Sequence, residues 1–223
     1  MKRLLFALVL LSSSAAAVDK QAAAAFRAAF GKEGSVLLKK QGELKENIRY
    51  TPGEVVQAPF GPVLLSPGEV QDASHVNAGK LAIFYLKQSD KGFAVAKRFV
   101  PATQTGSFGK IVDWSVNSSF GKLPIVTVNG AGNWQGYACS TATLVELAED
   151  GPKQLATIPM TYDNSGAVQG KSALQVSGRI DNIQPGKSFD VVYFGSKDFT
   201  EHYVRKGDSY VLASGGQSRL QRC

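Results

Sequence analysis

Histidine and cysteine are scarce in this sequence, with only two of each among 223 residues. His75 and His202 lie far apart, and no cysteine or carboxylate cluster stands near either at the spacing of a zinc site. The sequence also lacks a G-x-S-x-G elbow, an H-E-x-x-H motif, a P-loop and an EF-hand loop. We therefore predict no catalytic residue, no metal ligand and no cofactor.

Long hydrophobic runs are also lacking. The longest is the eight residues from Leu4 to Leu11, far short of the roughly 20 that cross a bilayer. Charged residues make up only 19% of the chain and hydrophobic residues 43%, a balance that excludes wholesale disorder. Neither the collagen nor the coiled-coil period is present. The length suits a single globular domain.

The first 17 residues have the organisation of an export signal. Lys2 and Arg3 precede the apolar run, and Ala15-Ala16-Ala17 fits the small-x-small cleavage rule. We predict cleavage after Ala17 and a periplasmic or secreted product with no transmembrane segment. Without Lys2 and Arg3, 23 basic residues face 18 acidic ones, a net charge of +5. This excess favours anionic partners such as acidic glycans, lipid headgroups or acidic proteins, while no nucleic-acid-binding module is recognisable.

The two cysteines, Cys139 and Cys223, form one disulfide in the first interpretation, because exported proteins meet oxidising conditions. Such a bond would hold down the end of the chain. The alternative is a reactive thiol at Cys139. That residue has no C-x-x-C partner and no nearby histidine to lower its pKa.

The distribution of apolar and turn residues predicts an all-β fold with one short N-terminal helix. Residues 19–30 are alanine-rich, and Phe26 and Phe30 share one helical face that would dock on the body. Residues 31–79 carry many prolines and glycines and suggest an irregular strap with short extended pieces around Val55-Val56 and Val63-Leu65, in which Pro62 favours an edge strand. Residues 80–213 predict about ten antiparallel strands, followed by a tail over 214–223. This meander would close as a sandwich or a partly open barrel, with incomplete propeller blades as an alternative.

Turn residues place the hairpins of the meander. Glycine-containing turns are predicted at residues 89–92, 149–152, 184–187 and 206–208. A longer loop is predicted over residues 129–134, between a strand at 124–128 and another at 136–147.

The end of this last hairpin is the most informative stretch for function. It carries Gly130 and Gly132 beside the candidate binding residues Asn133, Trp134, Gln135 and Tyr137. Glycine lets another backbone approach closely. Exposed Trp and Tyr offer the large, stiff contact area found at binding hot spots, and Trp also stacks on sugar rings. The alternative is that Trp134 and Tyr137 fold back over the end of the barrel as a hydrophobic cap.

The hairpin from Leu123 to Leu147, with Gly132 to Tyr137 at its end, resembles the inhibitory hairpins of bacterial periplasmic lysozyme inhibitors, which insert a Ser-Gly-x-x-Tyr-type loop into the lysozyme cleft. The resemblance covers roughly 25 residues of 223. No serine precedes Gly132 and the spacing to Tyr137 is longer, so the residue expected to contact the catalytic acid is missing. The resemblance implies an inhibitor of a cell-wall hydrolase as one form of a binding role.

Three function classes follow from these observations. The first is a non-enzymatic exported protein that binds an envelope protein or glycan through the hairpin end. The second is an envelope hydrolase whose acidic residues, such as Asp72, Asp113 or Asp163, act as a pair on a glycan or peptide. The third is a structural envelope component that binds anionic surfaces through net charge, which salt would weaken.

Two weaker candidate sites have simpler explanations. Asp72, Ser74 and His75 contain the residue types of a catalytic triad, but a polar turn accounts for them equally well. Asp163 begins an oxygen-rich stretch that is better explained as a turn than as a calcium loop, because only one residue in it is charged.

Overall fold

One α-helix, one short 3-10 helix (Gly170–Ser172) and fourteen strands make up the regular structure of residues 13–168 and 170–223, the part of the chain that the computed structural model describes. The α-helix is α1 (Ser13–Phe30). The strands of sheet A are β1 (Val36–Gln41), β2 (Glu46–Tyr50), β3 (Glu54–Ala58), β4 (Gly61–Val70), β5 (Gly79–Ser89) and β6 (Gly92–Thr105). Those of sheet B are β7 (Asp113–Asn117), β8 (Ile125–Trp134), β9 (Tyr137–Ala148), β10 (Gly151–Asp163), β11 (Gln175–Gln184), β12 (Ser188–Gly195), β13 (Phe199–Lys206) and β14 (Ser209–Leu212).

Sheet A is a curled half-barrel with the strand order β1-β2-β4-β5-β6, in which β3 also pairs with β4. The prediction that residues 31–79 are mainly irregular is wrong, because this segment supplies four of the six strands. The extended pieces predicted around 55–56 and 63–65 are confirmed and lie in β3 and β4. The strands β2 and β3 are only five residues long and share β4 as their partner. Short strands next to proline and glycine have weak local signals, and their pairing along β4 stabilises them instead.

The prediction that Pro62 marks an edge strand is also wrong. Its strand, β4, has β5 on one side and β2 with β3 on the other. Pro62 pairs with Gln57 of β3, and the pairing with β5 begins one residue later, at Val63 opposite Tyr85. A proline at the start of a strand is tolerated because the ladder on one side has not yet begun.

Sheet B is an open meander in which consecutive strands pair in sequence order from β7 to β14. The predicted hairpins at 89–92, 149–152, 184–187 and 206–208 are all observed. The predicted loop over 129–134 is wrong, because these residues continue β8 to Trp134, which pairs with Tyr137. The turn is therefore only Gln135-Gly136, with φ of 49° and 83°, the positive values that a two-residue type I′ hairpin requires.

The core has three clusters of buried side chains, and one of them joins the two sheets. That cluster brings Val63, Leu81 and Ile83 of sheet A against Val126 and Leu147 of sheet B. A second lies within sheet B, and the third lies under the helix. The antiparallel all-β prediction, with a sandwich or partly open barrel, is confirmed.

The helix docks on sheet A, as its spaced phenylalanines predict. Phe26 is fully buried, and the Phe30 ring lies 4.9 Å from Phe84, centre to centre. Arg98 of β6 donates a hydrogen bond to the carbonyl of Ala29, one of the last carbonyls of the helix. Residues 1–12, most of the predicted signal peptide, lie outside the described residues, so cleavage after Ala17 stays a prediction. No helix in the described residues is both long and apolar enough to span a membrane.

The C-terminal tail lies on sheet B and ends in the predicted disulfide, Cys139–Cys223. Glu201 is buried and accepts a hydrogen bond from the Arg219 backbone N–H at 2.6 Å. Leu220 is buried among the residues of the sheet B core. The tail is thus held at three successive points.

Candidate functional site

Three segments of the chain meet beside the end of the β8–β9 hairpin. The Ser107 backbone N–H donates to the Ala131 carbonyl at 3.0 Å, which joins the segment after β6 to β8. The Gly109 N–H donates to the Asn77 carbonyl at 2.8 Å, which joins the same segment to the turn after β4. The hairpin end is therefore part of a frame of three segments connected by backbone hydrogen bonds.

The glycines of the hairpin allow this close packing. A Cβ at Gly130 would collide with the backbone of Gly106, and one at Gly132 would lie 2.6 Å from Ser107 Oγ. A Cβ at Gly136 would collide with the backbone of Gly166. These glycines permit a close backbone approach, as predicted, and the segments that approach them belong to the same chain.

Three large apolar side chains on the joined segments are exposed. Trp134 is 52% exposed, and its ring makes an edge contact with His75 at 4.3 Å between ring centres. Val76, next to His75, is 65% exposed, and Phe108 is 50% exposed with φ of 55°. A bulky residue at positive φ is a backbone outlier, held in place by its surroundings. We call His75, Val76, Phe108 and Trp134 the tip surface.

The other predicted binding residues have different environments. Asn133 and Gln135 are exposed, at the end of β8 and in the turn. Tyr137 is half-buried, packs against the sheet B core and has its ring 6.3 Å from that of Tyr162. Of the two aromatic side chains, Tyr137 therefore has the position expected of a hydrophobic cap, and Trp134 the position expected of a contact residue.

A groove lies next to the tip surface on sheet B. One cavity, of about 260 Å³, is lined by Trp134, His75 and β8 residues 130–133. A second cavity, of about 280 Å³, is lined by Thr157, Thr161 and tail residues 221–223. Both are also lined by Cys139, Ser140, Thr141 and Cys223. We call the two cavities together the disulfide groove, because the Cys139–Cys223 bond lies between them.

The predicted triad residues near His75 do not form a triad. Ser74 Oγ donates to the Asn77 side-chain oxygen at 3.1 Å, within its own turn. Asp72 is exposed with φ of 55°, a conformation typical of a turn. His75 instead faces Trp134, an arrangement that sequence reasoning missed because it depends on the packing of separate loops.

Two of the three acidic residues of the hydrolase hypothesis, Asp113 and Asp163, have local partners. Asp113 accepts a hydrogen bond from the Asn129 amide at 2.5 Å. Asp163 accepts bonds from the Ser165 backbone N–H at 2.8 Å and the Gln175 amide at 3.0 Å. The bonds from Ser165, and then from Gln175, hold the pKa of Asp163 below its ordinary value. These contacts assign Asp163 to the polar turn rather than to a carboxylate pair.

The partner of His202 lies on the neighbouring strand and cannot be identified from the residues next to His202 in sequence. Its Nδ1 lies 2.6 Å from Asp190 Oδ1, and the Asn182 amide donates to the other carboxylate oxygen at 2.8 Å. The hydrogen bonds from His202 and Asn182 lower the pKa of Asp190. Asp190 and His202 are directly opposite in the β12–β13 register, so they face the same side of the sheet. Glu201 faces the other side, as the alternation of a strand predicts.

Within residues 13–168 and 170–223, no group of three or more His, Cys, Asp or Glu side chains has the arrangement of a metal site. Comparison of the chain with protein-family models, with curated proteins and with solved structures finds no significant match.

The two aromatic residues of the hairpin end should differ in their effect on stability. We expect Tyr137→Ala to lower the free energy of unfolding by about 1–3 kcal/mol, less than the loss for a fully buried aromatic residue. Trp134→Ala should cost at most about 1 kcal/mol, the scale of one cross-strand pair. Urea unfolding of both variants measures the difference. Equal losses would show that Trp134 is as much a core residue as Tyr137.

Proposed function

We propose that this protein is an exported, non-enzymatic binding protein that engages a protein or glycan of the cell envelope through the tip surface. The observation that carries the proposal is the half-exposed Trp134 on a frame of three hydrogen-bonded segments. A rigid aromatic side chain contributes large contact area, and a frame already ordered in the free protein reduces the entropy lost on binding.

Two further features support this function. His75, Val76 and Phe108 lie on the same frame, so the exposed apolar groups come from separate segments that the fold brings to one region. Grouped apolar side chains on a protein surface are typical of interaction sites. The predicted export signal and the net charge of +5 over residues 18–223 favour an envelope partner with anionic groups.

The proposal requires that Trp134 contribute to binding without being needed for folding. We expect immobilised residues 18–223 to retain a partner from envelope extract, and Trp134→Ala to reduce that retention at least tenfold, the loss typical of an interface hot spot. Phe194→Ala is the matched control, because Phe194 is an aromatic residue of sheet B that is 48% exposed and lies outside the tip surface.

Thermal melting should show that both variants keep the wild-type fold. Retention that is lost only with Trp134→Ala supports the proposed function. Equal retention by the wild type and Trp134→Ala would contradict it, and a partner lost equally with Phe194→Ala would place the binding surface elsewhere.

A further inference from the structure

The two cavities beside the tip surface are lobes of one groove. They share the residues Cys139, Ser140 and Thr141 and the terminal Cys223 in their walls. The first lobe, of about 260 Å³, has Trp134 in its wall, and the second, of about 280 Å³, extends over β10. Each lobe alone is smaller than the roughly 300–1,000 Å³ typical of ligand sites, whereas the two together fall within that range.

The lining of the groove has a consistent chemistry. Its side chains are mainly hydroxyls and small groups, with one exposed indole and the amides of Asn133 and Gln221. Among the described residues, no Asp or Glu side chain lines either lobe, and Arg222 is the one lining residue that is always charged. A ligand for this groove therefore needs many hydrogen-bonding groups, at least one apolar face and no net positive charge.

The hydroxyls of the lining retain capacity for a ligand. Ser140 Oγ and Thr161 Oγ1 are 2.8 Å apart, and one of them donates to the other. A hydroxyl has one donor and two acceptor positions, so this mutual bond leaves acceptor positions on both residues. The Asn133 side chain is exposed and makes no hydrogen bond to a described residue, so its amide and its carbonyl oxygen can both serve a ligand.

We propose that the disulfide groove binds an oligosaccharide, with one sugar ring in each lobe and the first ring against Trp134. A sugar ring presents an apolar C–H face that packs on an aromatic ring, and a rim of hydroxyls that matches the Ser, Thr and Asn groups of the walls. Arg222 places a cation in the second lobe, where it can meet a carboxylate on an acidic sugar. This inference rests on the proposed function, for which it selects a glycan over a protein as the partner.

Substitutions that fill the lobes test the inference directly. Ser107 lines the first lobe, with its side chain over Gly132, and Thr157 lines the second. Ser107→Tyr and Thr157→Tyr each place a large side chain in one lobe. Ser209→Tyr is the matched control, because Ser209 is an exposed strand residue that lines neither lobe.

The probes are tetrasaccharides of β-1,4-linked glucose, of β-1,4-linked N-acetylglucosamine and of α-1,4-linked galacturonic acid, with the corresponding monosaccharides. Binding is measured by calorimetry and by tryptophan fluorescence. The variant Trp134→Phe separates the signal of Trp134 from that of Trp114, the other tryptophan of the sequence. We expect at least one tetrasaccharide to bind at least tenfold more tightly than its monosaccharide. Ser107→Tyr and Thr157→Tyr should each weaken that binding at least tenfold, and Ser209→Tyr should leave it unchanged.

The outcomes separate this inference from the proposed function. The inference is wrong if no tetrasaccharide binds, or if filling both lobes leaves the affinity unchanged. If an envelope protein is instead retained by Ser107→Tyr and Thr157→Tyr but lost with Trp134→Ala, the proposed binding function stands and the saccharide inference falls. Saccharide binding that filling either lobe weakens and Trp134→Ala abolishes supports both.

Discussion

Replacing Glu46 with methionine should lower the free energy of unfolding by about 3–5 kcal/mol, the loss expected when one partner of a buried ion pair is removed. Lys80 Nζ lies 2.9 Å from Glu46 Oε2, and the two side chains are only 6% and 7% exposed. Without Glu46 the ammonium group of Lys80 would remain buried, with only the Gln104 side-chain oxygen as a partner at 2.8 Å.

The double variant Glu46→Met, Lys80→Met is the control for this loss. Because it removes both charges together, it should recover most of the lost free energy. Urea unfolding of the two single variants and the double variant gives the coupling between the two residues. Single losses that simply add in the double variant would show that the pair is not coupled.

The contribution of Glu46 should also depend on pH in a defined direction. Burial by itself raises the pKa of Glu46, but the hydrogen bonds from Asn77 and Lys80 outweigh it and hold the pKa below its ordinary value. A carboxyl with a lowered pKa stabilises the folded state fully above its unfolded pKa of about 4.3, and this stabilisation is lost as the pH falls through the folded value. The gap between the wild type and Glu46→Met should therefore narrow on acidification below about pH 4.3.

This ion pair also connects to the tip surface. The Asn77 amide donates to Glu46 at 2.8 Å, while the Asn77 side-chain oxygen accepts from the Ser74 backbone N–H at 2.8 Å. The turn that carries His75 and Val76 is thus attached to a buried charge. Loss of Glu46 should loosen this turn, which hydrogen exchange of the Ser74 and Asn77 amides would detect.

Removing the disulfide should have the second large effect. The bond joins residues 84 positions apart, and the double variant Cys139→Ser, Cys223→Ser should lose about 2–4 kcal/mol of unfolding free energy. The loss comes mainly from the unfolded chain, which gains conformational freedom when the crosslink is absent. Thermal and urea unfolding of the variant measure it.

The folded tail should stay in place in that variant, because the other two attachments remain. Leu220 is buried, and Glu201 accepts a hydrogen bond from the Arg219 backbone N–H. Slow hydrogen exchange of the Arg219 amide in the double variant would show this. The wild type under a thiol reductant is the matched control, since it should lose the same stability. A tail that exchanges freely once the bond is cut would show that the disulfide alone holds it.

The hairpins of sheet B show where local sequence is a sufficient guide. Glycine, proline and aspartate at 89–92, 149–152, 184–187 and 206–208 start turns by their own backbone preferences. The alternating strands between them then pair with their sequence neighbours, and each predicted hairpin is present. The disulfide could be predicted from the number of cysteines and the predicted export signal alone.

The segment 31–79 and the tip surface show where local sequence is insufficient. The strand β1 pairs with β2, the strands β2 and β3 both pair with β4, and β4 in turn pairs with β5. The contact of His75 with Trp134 joins residues 59 positions apart. The turn that carries His75 and the end of β8 are brought together by the segment at 106–110, which is hydrogen-bonded to both. No local pattern encodes such a meeting.

The amino-acid sequence alone thus determined the all-β class, the order of the sheet B hairpins, the docked helix and the disulfide. Backbone preference and side-chain periodicity act over a few neighbouring residues, so they can be read from local sequence. The disulfide follows from the presence of two cysteines, wherever they lie in the sequence. The tertiary structure alone decided the strands of residues 31–79, the separate roles of Trp134 and Tyr137, and the groove divided by the disulfide. Each of these depends on which distant segments pack together, because burial and cavity shape are properties of the assembled sheets.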